Sequence, residues 1–204
     1  MDKIPQMDEL ELDLLNEIFN VGVGNAAASL SQMVKQEIKL SVPEIDFLTS
    51  DQLIKVLGQD KLLCSVSQKV SGPLVAQSIL LFPDVDSLEI VRKMLGNQIS
   101  DAGIAELQNE AMTEIGNIVL NACIGSLSEA FSQTFIIDLP EFERAIPAIL
   151  LESRQLSSDS FILFIRIELS LSESKITGYL AFLIGGASFS ILQKSLNKTL
   201  SSLI

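Results

Sequence analysis

The chain has 204 residues, 48% of them hydrophobic, and its 26 acidic against 14 basic residues give a net charge of −12. That length and apolar content allow one large domain or two half-size units, while an acidic excess without a basic run argues against nucleic acid and anionic membrane as partners. Histidine is absent, which removes Ser-His-Asp and Cys-His nucleophile systems and any His-ligated metal.

The opening MDKIPQMDELELDLL is acidic and lacks the basic n-region of a secretory leader, so it does not read as a signal peptide, and free thiols at Cys64 and Cys123 would fit a reducing cytoplasm, the expected location. The first helix is predicted over about 9–36, with Leu12, Leu15, Phe19 and Val23 at helical spacing. Strands near 37–48, 61–70 and 74–82 follow, then a helix over about 84–96. The segment 97–104, NQISDAGI, reads as a hinge. A second long helix over about 103–133 carries Leu107, Ala111, Ile115, Ile118 and Ala122 on one face. Further strands fall near 134–139, 143–151, 160–170 and 176–184, before a last helix over about 186–197. In the β-rich stretch SFILFIRIELSL, Arg166 and Glu168 are expected to face one side. The most apolar stretch, Ile176–Leu192, spans 17 residues and is broken by Gly185-Gly186. It is too short and punctuated to cross a bilayer, and reads as a core strand turning into a helix. Cys64 and Cys123 lack metal-type spacing and are expected to be free, buried thiols.

The chain repeats itself. Residues 13–45 (DLLNEIFNVGVGNAAASLSQMVKQEIKLSVPEI) align without gaps on 110–142 (EAMTEIGNIVLNACIGSLSEAFSQTFIIDLPEF) at an offset of 97. Glu17 falls on Glu114, Asn20 on Asn117 and Pro43 on Pro140. A looser match sets Gly72 on Gly178, so each half reads helix, strands, helix. The repeats cover about 9–98 and 103–204 and are expected to merge into one α+β domain over 1–204. That domain would have pseudo-two-fold symmetry and a mostly antiparallel sheet flanked by long helices.

Positions i and i+3 of a helix share a face. Glu17 and Asn20 therefore present a carboxylate beside a carboxamide, as do Glu114 and Asn117. A carboxylate accepts from a lysine, and a carboxamide donates and accepts, so it can hold a water in a fixed orientation. Glutamine plays that part in GTPase phosphoryl transfer. The GVGN run invites comparison with a phosphate loop, but it lacks the following Lys-Ser/Thr and does not follow a strand.

The pattern Asp/Ser-x3-Glu-x2-Asn-x22-Pro resembles the signature of the CheC/CheX/FliY family of bacterial chemotaxis phosphatases. Asp13, Glu17, Asn20 and Pro43 satisfy it; Glu114, Asn117 and Pro140 do so in the second copy, where Glu110 stands at the Asp/Ser position. The resemblance implies a CheC-like domain that hydrolyses the aspartyl-phosphate of the response regulator CheY. It assigns Asn20 and Asn117 to orienting the attacking water, and Glu17 and Glu114 to pairing with the regulator's lysine. It further implies that Mg²⁺ belongs to the regulator, with no cofactor or metal bound by this chain. The receptor deamidase CheD is a further partner on this analogy, and a monomer is expected of an internally duplicated chain. The alternative is a non-catalytic adaptor that binds CheY-phosphate or CheD.

Where the family commonly reads EIGNIGAGNA, Phe19 replaces the first glycine, either as a core residue or to narrow the docking surface. Gly22 and Gly24 have no counterpart in the second copy, which carries Val119 and Asn121 there. They are read as close-packing positions, and the two sites are expected to be unequal.

Overall fold

Residues 6–95, 100–154, 160–171 and 174–203 are described by a computed structural model. Asp8 starts the first helix, α1 (Glu9–Val34), through a capping box. Its side chain accepts from the Glu11 amide at 2.8 Å and its own amide donates to Glu11 Oε2 at 2.9 Å. Lys35 closes α1 in the left-handed region. Strand β1 (Ile38–Leu48) follows, then α2 (Ser50–Leu57), β2 (Leu63–Ser71), β3 (Ala76–Pro83) and α3 (Asp84–Leu95). The second half begins with α4 (Asp101–Phe131), capped by Ser100, and continues through β4 (Ile136–Ile137), β5 (Glu141–Ala145) and α5 (Pro147–Glu152). Strands β6 (Ser160–Leu171) and β7 (Ser174–Gly185) precede the last helix, α6 (Gly186–Leu203).

Seven antiparallel strands form one sheet in the order β1-β6-β7-β3-β2-β4, with β5 also paired to β2. The first strand after each long helix thus pairs across to the other half: β1 with β6, and β4 and β5 with β2. Helices α1, α3, α4 and α6 cover one sheet face over a core that includes Leu15, Phe19, Ile115, Leu120, Ile165 and Phe182. Helices α2 and α5 cover part of the other face around Leu53, Leu150, Ile79, Phe164 and Leu183. Successive sheet residues such as Phe164 and Ile165 belong to different cores, as the period-two alternation of a strand demands.

Three expectations need correction. The strand read over 143–151 ends at Ala145. Pro147 has no N–H for a ladder and sits at the first position of α5, where that donor is not needed. Helix α2 went unread although Thr49 and Gln52 form a capping box. Of the hinge over 97–104, residues 97–99 lie outside the described residues, and the rest is the cap and first turn of α4.

The run at Ile176–Leu192 is a strand that turns at Gly185-Gly186 into α6. Among the described residues no helix is long and apolar enough to cross a membrane. Arg166 and Glu168 are both exposed, and Arg166 Nε lies 3.6 Å from Glu44 on the neighbouring β1. Cys64 and Cys123 are free and buried. Burial pushes both thiols up to about 12.

Helices α1 and α4 touch closely. A Cβ on Gly22 would stand 2.8 Å from Cys123 Cα, so only glycine allows this approach, whereas nothing lies within 4 Å of one on Gly24. The close-packing reading therefore holds for Gly22 and fails for Gly24, which is exposed. Phe19 is fully buried, its ring 5.2 Å from that of Phe182. Of the two roles left open for it, the core one applies. Its counterpart Gly116 instead lies against Val66 of β2, where a Cβ would come within 2.4 Å of the valine side chain.

Candidate functional site

Helical spacing puts Glu17 and Asn20 on one face of α1, with Glu17 exposed and Asn20 half-buried. Asn20 is fixed at both ends of its amide. Its Nδ2 donates to Asn16 Oδ1 at 3.0 Å, and its Oδ1 accepts from the Val42 amide at 3.3 Å. The second bond gives the 22-residue gap to the proline a physical cause. Ladder pairs jump from Ser41–Glu168 to Glu44–Arg166, so Val42 and Pro43 together oppose Ile167 in a bulge. A bulge is one of the few places a sheet tolerates proline, and here it leaves the Val42 N–H for the helix.

Glu114 is likewise exposed and Asn117 half-buried on α4. Here the amide is held differently. Asn117 Oδ1 accepts from Asn121 Nδ2 at 2.7 Å and from Gln68 Nε2 at 3.1 Å. Gln68, on β2 and 3% exposed, also donates to the Asp138 carbonyl at 3.1 Å. Asp138 lies in the break between β4 and β5 that ends with the half-buried Pro140. Both asparagines are thus tied to the strand segment before the repeated proline, the first directly and the second through a glutamine.

Asp13 is exposed one turn before Glu17. Glu110 and Glu114 rim a groove of about 330 Å³ whose apolar lining includes Met33, Met94, Leu107 and Ala111. Because α1 and α4 meet at Gly22 and Cys123, and again where Met33 and Leu107 share this groove, they run antiparallel. At the helical rise, Glu17 and Glu114 are then about 20 Å apart along the pair.

Gln68, Asn121, Asn16 and the Val42 amide escape a reading of the sequence alone. Asn16 and Asn121 sit four residues before and after their asparagines, a spacing that signals contact on a helix. Gln68 and Val42 reach the site only through the tertiary fold. Among the described residues, no group of three or more His, Cys, Asp or Glu side chains could hold a metal.

This is the fold of the FliY and CheX chemotaxis proteins. No protein-family model matches the chain. It is 26% identical over 137 residues to the CheY-P phosphatase CheC of Bacillus subtilis, a stretch covering 65% of this chain and 66% of that protein. It is 24% identical over 148 residues to the flagellar motor switch phosphatase FliY of the same organism, covering 69% of this chain and 38% of FliY. Among solved structures, Thermotoga maritima FliY superposes with a TM-score of 0.77 at 18% identity, covering 96% of this chain and all of that one. CheX in the CheX–CheY–BeF3–Mg²⁺ complex of Borrelia burgdorferi gives 0.51 at 19% identity, covering 83% and 96%. In sequence and in fold, the chain is similar to the CheC/CheX/FliY proteins.

Proposed function

We propose that this protein is a phosphatase for the aspartyl-phosphate of a CheY-type response regulator. The observation that carries this reading is the twice-built pair: an exposed glutamate one turn before an asparagine whose amide is held by hydrogen bonds. An acyl phosphate is already activated, so hydrolysis needs a positioned water more than a strong base. Asn20 and Asn117 orient that water, and an amide already held in place lowers the entropic cost of doing so wherever its oxygen keeps a lone pair open. Glu17 and Glu114, exposed and within reach of a docked partner, pair with the regulator's active-site lysine. Mg²⁺ belongs to the regulator in this scheme, and this chain contributes no metal ligand.

The strand pairing supports treating the two copies as one pseudo-two-fold unit, because each half completes its edge with a strand of the other. A separation of about 20 Å along the helix pair supports two independent docking sites rather than one shared site. The reading is tested by following the decay of aspartyl-phosphorylated CheY with Mg²⁺ present. Catalytic amounts of the protein are expected to accelerate decay, and Glu17→Ala with Glu114→Ala to weaken association with the regulator. A protein that binds phosphorylated CheY without accelerating its decay is the adaptor instead.

A further inference from the structure

The two asparagines have different hydrogen-bonding capacity left. A carboxamide offers two N–H donors and two acceptor lone pairs. Asn20 spends one of each, on Asn16 and on Val42, and keeps one N–H and one lone pair for a ligand. Asn117 accepts twice on Oδ1, from Gln68 and Asn121, and among the described residues its Nδ2 makes no bond. It therefore faces a ligand as a donor only.

The orientation of these amides follows from a main-chain group. The Asp138 carbonyl can only accept, so it fixes Gln68 with its NH2 toward both Asp138 and Asn117, and Asn117 must answer with its oxygen. Gln68 Oε1 is meanwhile buried with no hydrogen-bond partner among the described residues. A buried orphan carbonyl is destabilising, and methionine would fill the same space without one. Packing alone does not account for a glutamine at this position.

We infer that Gln68 is a positioning residue that sets the unequal strength of the two sites, holding Asn117 in an acceptor-blocked state. This rests on the asparagines' role in orienting water. An attacking water is best fixed by donating one hydrogen to an acceptor while its lone pair faces phosphorus. Asn20 supplies that acceptor as it stands, and Asn117 supplies it only when Gln68 or Asn121 lets go. The first site is accordingly the faster one.

Decay of aspartyl-phosphorylated CheY is measured in an Asn20→Ala background, where only the second site works. Adding Gln68→Met is expected to raise kcat about fivefold with KM unchanged, the effect of releasing one hydrogen bond. Asn121→Ala, at a half-buried position of α4, frees a lone pair of the same oxygen and is expected to raise kcat likewise. It decides the matter if Gln68→Met fails to fold. In an Asn117→Ala background neither change is expected to alter kcat. An unchanged or lowered kcat in the Asn20→Ala background, from a protein whose unmutated form is active, overturns the role of Gln68 alone. An unmutated protein that does not accelerate decay overturns the phosphatase reading and this inference with it.

Discussion

Asn20 Oδ1 accepts the Val42 amide proton at 3.3 Å and so joins the middle of the first helix to the strand bulge at the repeated proline. This bond ties the candidate chemistry to the fold and makes separable predictions for two substitutions. Asn20→Asp keeps an acceptor for Val42 but loses both N–H donors and sets a negative charge beside the dianionic phosphate, so the protein is expected to fold normally and lose first-site activity. Asn20→Ala loses both bonds and is expected to cost about 1–2 kcal/mol of stability as well. Urea unfolding beside the decay assay separates the two.

The glycines of α1 are expected to respond in opposite directions. Gly22→Ala places a methyl 2.8 Å from Cys123 Cα and must push α1 from α4, for a loss of about 1–3 kcal/mol. Gly24→Ala meets nothing within 4 Å, and the gain in helix propensity is expected to stabilise by about 0.5–1 kcal/mol. Denaturant midpoints for the two variants check this directly.

A polar cluster, buried at Gln108 and Cys64 and open to solvent at Arg144, joins β2, α3, α4 and β5. Gln108 donates to Cys64 Sγ at 3.1 Å and Asp84 Oδ1 at 3.1 Å, and Arg144 Nη2 stands 2.7 Å from Asp84 Oδ2. Burial pushes the Asp84 carboxyl up, but hydrogen bonds from Arg144, Gln108 and Cys64 outweigh it and hold the group below its ordinary 3.8. A lowered folded pKa contributes stability that is present above 3.8 and is lost as pH falls through the folded value. Arg144→Ala is expected to lower stability at neutral pH and flatten its fall in acid, read from unfolding curves between neutral and acidic pH.

The thiols predict an opposite, alkaline limb. Burial raises Cys64 and Cys123 from 9.0 to about 12, so their contribution is complete below 9.0 and is lost as pH rises from there toward 12. Replacing both with serine or alanine is expected to reduce this alkaline loss. At pH 8 the native protein is expected to resist iodoacetamide, with both cysteines labelled only on unfolding, as mass spectrometry would report.

Long periodic segments were legible from residues alone: the four helices longer than ten residues and the long strands start within a few residues of where periodicity puts them, although α6 runs on to Leu203, six residues past the expected end. The misses share a physical cause. Helices α2 and α5 are eight and six residues long, too short for periodicity to announce them, and only Thr49-x-x-Gln52 and Pro147 mark them. At the site, the Glu-x-x-Asn pairs stand out because they recur. What holds each asparagine does not, since Gln68 is 49 residues from Asn117 and Val42 22 from Asn20, and only the sheet brings them together. Phe19 shows the same limit: it looks like a departure at the site but is buried against Phe182.

In the proposed reaction the two asparagines perform the hydrolysis. That role is tested most directly by single-turnover decay of aspartyl-phosphorylated CheY with the Asn20→Ala/Asn117→Ala double variant, with binding of the regulator measured on the same preparation. Retained binding is expected, with decay no faster than that of the regulator alone. A double variant that binds and still accelerates decay as the unmutated protein does would contradict it.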